Sequence, residues 1–122
     1  MAYDPSNVFA RILRGEIPCK KVYEDQWSLA FHDINPLAPV HVLVIPKGAY
    51  VSMADFSASA SDAEVLGFFR AVGEVARQLG LDERGYRMLA NHGVDAHQEV
   101  PHLHVHLFAG APLGPMLKRI AN

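Results

Sequence analysis

Seven histidines occur in 122 residues, and five of them fall between His92 and His106. Three stand in strict alternation in His102-Leu103-His104-Val105-His106-Leu107-Phe108. Successive side chains of a β-strand point to opposite faces, so this spacing sets the three imidazoles on one face and Leu103, Val105 and Leu107 on the other. The apolar face belongs to a core. Imidazole titrates near neutral pH, so the histidine face asks for a chemical reading, and three are open. The first is a metal site, since imidazole is a common ligand. Residues i and i+4 of a strand lie roughly 13 Å apart, however, so all three cannot hold one ion unless the strand bends. A further ligand would then have to come from His41, His92, His97 or a carboxylate. The second reading is a row of satisfied polar residues on a solvent-facing sheet. The third is nucleophilic catalysis at phosphorus, in which a neutral imidazole attacks and neighbouring imidazoles or amides neutralise the phosphoryl oxygens. That chemistry requires no metal and no cofactor. It does require donors beside the strand, which the polar loop from Asn91 to Glu99 supplies through Asn91, His92, Gly93, His97, Gln98 and Glu99.

The elements that must position these residues follow from local pattern. Asn7 to Arg14 carries Val8, Ile12 and Leu13 at helical spacing, with Asp4 and Ser6 as caps and Gly15 as a stop, which predicts a short N-terminal helix. Lys20 to Glu24 and Trp27 to Ile34 read as strands of a hairpin turned at Asp25-Gln26. Asn35-Pro36-Leu37-Ala38-Pro39 interrupts regular structure, and Val40 to Ile45 is apolar enough to be covered on both faces. Ser61 with Glu64 forms a capping box for a long helix to Leu79, stopped by Gly80. Its wide apolar stripe suits packing on a sheet, with part of it able to meet a second subunit. Gly85 to Ala90 reads as a fourth strand and His102 to Phe108 as a fifth. The expected class is α+β: one domain over residues 1–122, a five-stranded antiparallel meander with one long helix and a short N-terminal helix.

Composition narrows the function. Half the residues are hydrophobic and a fifth charged, which excludes a disordered or fibrous chain. Eleven Lys and Arg against thirteen Asp and Glu leave a net charge of −2, so no bulk positive charge is available to hold a long nucleic acid. The N-terminal residues carry Asp4, Arg11, Arg14 and Glu16 and do not read as a signal peptide, and no apolar run is long enough to span a bilayer. The expected setting is soluble and cytoplasmic. Cys19 is the one cysteine and is read as an ordinary reduced thiol.

The pattern His-φ-His-φ-His-φ-φ, with φ apolar, resembles the signature of the histidine triad (HIT) family, and residues His102 to Phe108 match all seven positions. Phe9 to Pro18, Phe31 to Ile34, Ala38 to Lys47, Tyr86 to Met88 leading to Asn91, and Gln98 to Gly110 extend the likeness to its Hint branch, the histidine triad nucleotide-binding proteins. The resemblance implies a homodimer that binds purine nucleotides and hydrolyses nucleoside 5′-phosphoramidates or acyl- and amino-linked adenylates, releasing AMP or GMP. It gives His104 the role of nucleophile, with His102 orienting it, His106 near the phosphate and leaving group, and His41 as the further histidine beside them. It assigns Asp33 to the ribose hydroxyls, Ile34, Phe9, Ile17 and His32 to the base pocket, and Asn91 to the phosphate. Dinucleoside polyphosphate hydrolysis, or a nucleotide-binding adaptor role with weak catalysis, are the alternatives.

This chain departs from the Hint pattern where Gly-Gln-Ser is replaced by His97-Gln98-Glu99. Glu99 is expected either to face solvent or to engage the leaving amine, its backbone N–H serving the phosphate. His97 takes positive φ less freely than glycine, so the loop is expected to follow a different path. The tail Lys118 to Asn122 also differs.

Overall fold

Asp25 turns the first hairpin: its Oδ1 accepts the N–H groups of Trp27 and Ser28 at 2.8 and 2.9 Å, joining β1 (Lys21–Glu24) to β2 (Ser28–His32). The computed structural model describes residues 2–121. Within them β3 (Val40–Pro46), β4 (Arg87–Leu89) and β5 (Val105–Ala109) complete a five-stranded sheet in which every neighbouring pair is antiparallel. The order is β1-β2-β3-β5-β4. The expected meander therefore holds through β3, after which β5 enters between β3 and β4. Strands β3 and β4 are consequently parallel to each other, which a tight hairpin cannot connect. The intervening chain crosses through α2 (Met53–Ser59) and α3 (Asp62–Gln78).

The two faces of β3 are both covered, as its apolar run predicts. Val42 and Val44 join Ala30, Val105 and Leu107 against Phe56 of α2 and Phe68, Ala71, Val72 and Val75 of α3. Leu43 and Ile45 face the other way, with Leu29, Phe31 and Phe9 of α1 (Val8–Leu13). By alternation His41 and His106 stand on this second face. The α1 side of the sheet is thus where the histidines gather.

Three local differences from the sequence expectations have clear causes. The α1 cap is Asn7, whose Oδ1 accepts the Ala10 N–H at 2.9 Å, because Asp4 is engaged with Ser6 in a turn of its own. Helix α2, unforeseen, is capped by Ser52, whose Oγ accepts the Asp55 N–H at 3.1 Å while Asp55 accepts the Val51 N–H. Ser-x-x-Asp before Phe56 was its signal. The last strand starts at Val105, not His102. Pro46 offers β5 no N–H, and the residues before Val105 bond elsewhere: Leu103 N–H donates to Tyr50 O at 2.7 Å. The Ser61–Glu64 capping box of α3 forms with both of its bonds.

Candidate active site

His102 and His104 lie on the irregular segment leading into β5, and their side chains bond to backbone carbonyls where a strand would use the ladder. His102 Nε2 meets Pro46 O at 2.8 Å, and its Nδ1 lies 2.6 Å from the Tyr3 hydroxyl. A carbonyl can only accept, so Nε2 carries the proton and Nδ1 accepts from Tyr3. His104 Nδ1 donates to the His102 carbonyl at 2.7 Å by the same logic. The Nε2 lone pair of His104 is therefore available as a nucleophile.

A second chain of bonds fixes His41 and His106. Leu37 N–H donates to His41 Nδ1 at 3.1 Å, which puts the His41 proton on Nε2. That proton points to His106 Nδ1 at 3.0 Å, so His106 keeps its own proton on Nε2. Asp33 Oδ2 lies 3.5 Å from His41 Nε2, while Oδ1 accepts the Asn35 N–H at 2.8 Å in the turn after β2. The rings of His104 and His106 are 4.9 Å apart. Phe9 meets His104 edge-on at 4.9 Å, and Phe108 stacks on His106 with planes 3° apart.

Burial holds all four imidazoles neutral. Desolvation pushes His102 down to about 4, with the Pro46 carbonyl opposing. It also pushes His106 down to about 4, helped by charge on His104 and His41. His104 and His41 are lowered too, chiefly by burial, and Asp33 pulls both back upward. The negative charge of Glu99 likewise raises His104. A neutral nucleophile beside a neutral N–H donor is the result.

The loop from Asn91 to Glu99 is built around Gln98. Its Oε1 lies 3.1 Å from Gly93 N and 3.0 Å from His92 Nδ1, and its Nε2 donates to the carbonyls of Val51 and Val100 at 3.0 and 3.1 Å. The Gln98 side chain is a brace for the loop. His97 takes φ 57°, the left-handed conformation in which glycine is at ease. The bonds His97 N–H to Val94 O and Gln98 N–H to Gly93 O hold it there. Replacing His97 by Gly should stabilise the protein by about 1 kcal/mol in urea titrations, because the strain disappears; a lower unfolding midpoint would contradict that. Glu99 points outward, its side chain 77% exposed and 3.1 Å from His97 Nε2.

Of the remaining sequence candidates, Ile34 is 91% exposed and stands on the rim, and His32 is exposed at the end of β2. Ile17 and Asn91 are half-buried. Phe9 is buried against Phe31, at 5.5 Å between rings. Tyr3, the Leu37 N–H and the Pro46 carbonyl were not anticipated. For a metal, the compatible group is Asp33, His41 and His106, whose ligand atoms lie within 4.8 Å of one another, and not the three alternating histidines. The further ligand expected from His41, His92, His97 or a carboxylate is met in part: His41 and Asp33 join this group, but it takes in one of the three alternating histidines, His106, and the bonds from Leu37 to His41 to His106 already use three of the four ring nitrogens.

The HIT domain model matches residues 14–113. The chain belongs to the HIT family. A HIT-like protein of Azospirillum brasilense is 71% identical over 117 residues, covering 96% of both chains. The purine nucleoside phosphoramidase of Escherichia coli K12 is 43% identical over 111 residues, covering 90% of this chain and 92% of that one. Among solved structures, a HIT family hydrolase from Clostridium thermocellum superposes with TM-score 0.80 at 39% identity, covering 93% of this HIT protein and 97% of the other. The α+β expectation and the five-stranded antiparallel sheet hold for this HIT protein, which is hydrolase-like in its relatives. Among its described residues no helix is long and apolar enough to cross a membrane.

Proposed function

We propose that this protein hydrolyses purine nucleoside 5′-phosphoramidates, or acyl- and amino-linked adenylates, through a nucleotidyl-His104 intermediate. The observation that carries the reading is the His104 Nδ1 bond to the His102 carbonyl, which puts the proton on Nδ1 and leaves the Nε2 lone pair of a neutral ring to act as nucleophile. In the first half-reaction His104 Nε2 bonds to the α-phosphorus and the bond from phosphorus to the leaving group breaks. The leaving nitrogen departs as the amine with a proton taken from solvent, and His106 Nε2–H donates a hydrogen bond at the reacting centre. In the second half water attacks phosphorus, the bond to His104 breaks, and the water's proton returns to solvent as AMP or GMP departs. His41 orients His106 and keeps it in one tautomer. The second oxygen of Asp33, not used by the turn, suits the ribose hydroxyls, and Phe9 with Ile17, Ile34 and His32 suits the base.

A homodimer fits the uncovered apolar side chains of α3 and of the Tyr86–Met88 segment: Leu66, Phe69, Tyr86 and Met88 are 55, 45, 42 and 49% exposed. Side-by-side assays of an adenosine phosphoramidate and a dinucleoside tetraphosphate in the presence of chelator test the function. Release of AMP from the phosphoramidate, undiminished by chelation, is expected. Faster cleavage of the tetraphosphate, or loss of activity with the chelator, would replace the reading.

A further inference from the structure

We infer that Tyr3 is a positioning residue for the histidine site, its hydroxyl locking His102 in the tautomer that sets the attitude of His104. The inference rests on the hydrolytic reading proposed above. His102 is fully buried, and its two ring nitrogens have different needs. Nε2–H is taken by the Pro46 carbonyl, 56 residues away in sequence, and the Nδ1 lone pair is taken by Tyr3 O–H, 99 residues away. The imidazole is thus pinned from both sides by two distant parts of the chain. Tyr3 also meets the His102 ring edge-on at 5.5 Å, and Phe9, six residues later, covers both His102 and His104 at 6.3 and 4.9 Å. The N-terminal segment is therefore a strap over the base of the nucleophile.

The consequence runs through the backbone. The carbonyl that orients His104 Nδ1–H belongs to His102 itself, at 2.7 Å. An unanchored His102 ring would leave a buried lone pair without a donor, and the ring would turn or admit water to satisfy it. Either movement disturbs the carbonyl and with it the direction of the His104 lone pair, to which in-line attack is sensitive. Tyr3 touches neither phosphorus nor leaving group in this scheme, so its effect falls on kcat.

Tyr3→Phe removes the hydroxyl and keeps the ring. On the phosphoramidate substrate kcat should fall about ten-fold with KM nearly unchanged, and the ¹⁵N resonance of His102 Nδ1 in the free protein should move toward that of an unbonded lone pair. Tyr3→Leu, which removes the ring as well, should show the same fall in kcat if the hydroxyl is responsible, with thermal unfolding checking that both variants are folded. A Tyr3→Phe protein with unchanged His102 resonances, or with shifted resonances and wild-type kcat, would overturn the inference, as would a loss confined to Tyr3→Leu. Should the wild type cleave no phosphoramidate, the function proposed above fails, and the His102 resonances then decide the Tyr3 lock by themselves.

Discussion

His104→Ala is expected to cut turnover of a nucleoside phosphoramidate by about 10⁴-fold or more, with AMP affinity changed only a few-fold. The asymmetry follows from what the side chain touches. In the proposed mechanism His104 contributes the nucleophilic nitrogen, and the groups proposed for sugar and base, Asp33, Phe9 and Ile17, stand on other elements. Removing the ring takes away the bond-forming atom, the Nδ1–H bond to the His102 carbonyl and the edge-on contacts with Phe9 and His106, and leaves the hydrogen bond between His41 and His106 and the approach of Asp33 to His41 in place. Acid quench of the wild type with labelled substrate should trap a nucleotidyl-protein that the variant cannot form. Turnover within ten-fold of wild type, or an adduct surviving in the variant, would sink the mechanism.

Acid should unfold this protein through its histidines before its carboxylates are reached. In the folded state His102 and His106 titrate near 4, depressed by burial, against an ordinary value of 6.5. Between these limits the unfolded chain binds protons that the folded chain refuses, so stability is full above pH 6.5 and is lost as pH falls toward 4. The two together account for a loss on the order of a few kcal/mol, most of it from fully buried His102. His41 and His104 are lowered as well and add in the same direction. The carboxylates follow in a separate window: Glu24, held near 2 by Lys21 and Lys47, gives up its stabilisation only as the pH falls below the usual carboxylate range. Urea midpoints measured at intervals from pH 7.5 to 4 should decline across the upper window. A flat profile down to pH 4.5 would refute the neutral, buried state of these rings. Burial also lowers His104, so in the proposed mechanism kcat/KM should fall at a lower pH than a free imidazole would set.

Much of this was legible because it depends on short-range pattern. Alternation at Val105-His106-Leu107 separated the core face from the histidine face, and the Ser61–Glu64 box located α3. The entry to β5 was not legible, since whether His102 joins a ladder depends on Pro46 having no N–H to offer, a fact about a strand far away in the sequence. The site shows the same division. The identities of His102, His104 and His106 are written in one heptapeptide, but the tautomer of His102 is set by Pro46 and Tyr3 and that of His106, through His41, by Leu37, whose contributions are a backbone carbonyl, a lone hydroxyl and a backbone N–H. No periodicity marks such groups. The left-handed conformation of His97 is a further case: the preference of that conformation for glycine is an energy of about 1 kcal/mol, and two loop hydrogen bonds hold His97 in it.

The position of β5 in the sheet has a consequence for how the molecule is made. The strand that comes fifth in the chain inserts between β3 and β4, and the His41–His106 bond it completes spans 65 residues. Until then β3 presents an open edge of Val, Leu and Ile, the kind of edge that other chains can add to. The His41–His106 bond and the covering of the β3 edge therefore arrive together, when β5 docks. A chain cut short before Val105 lacks both.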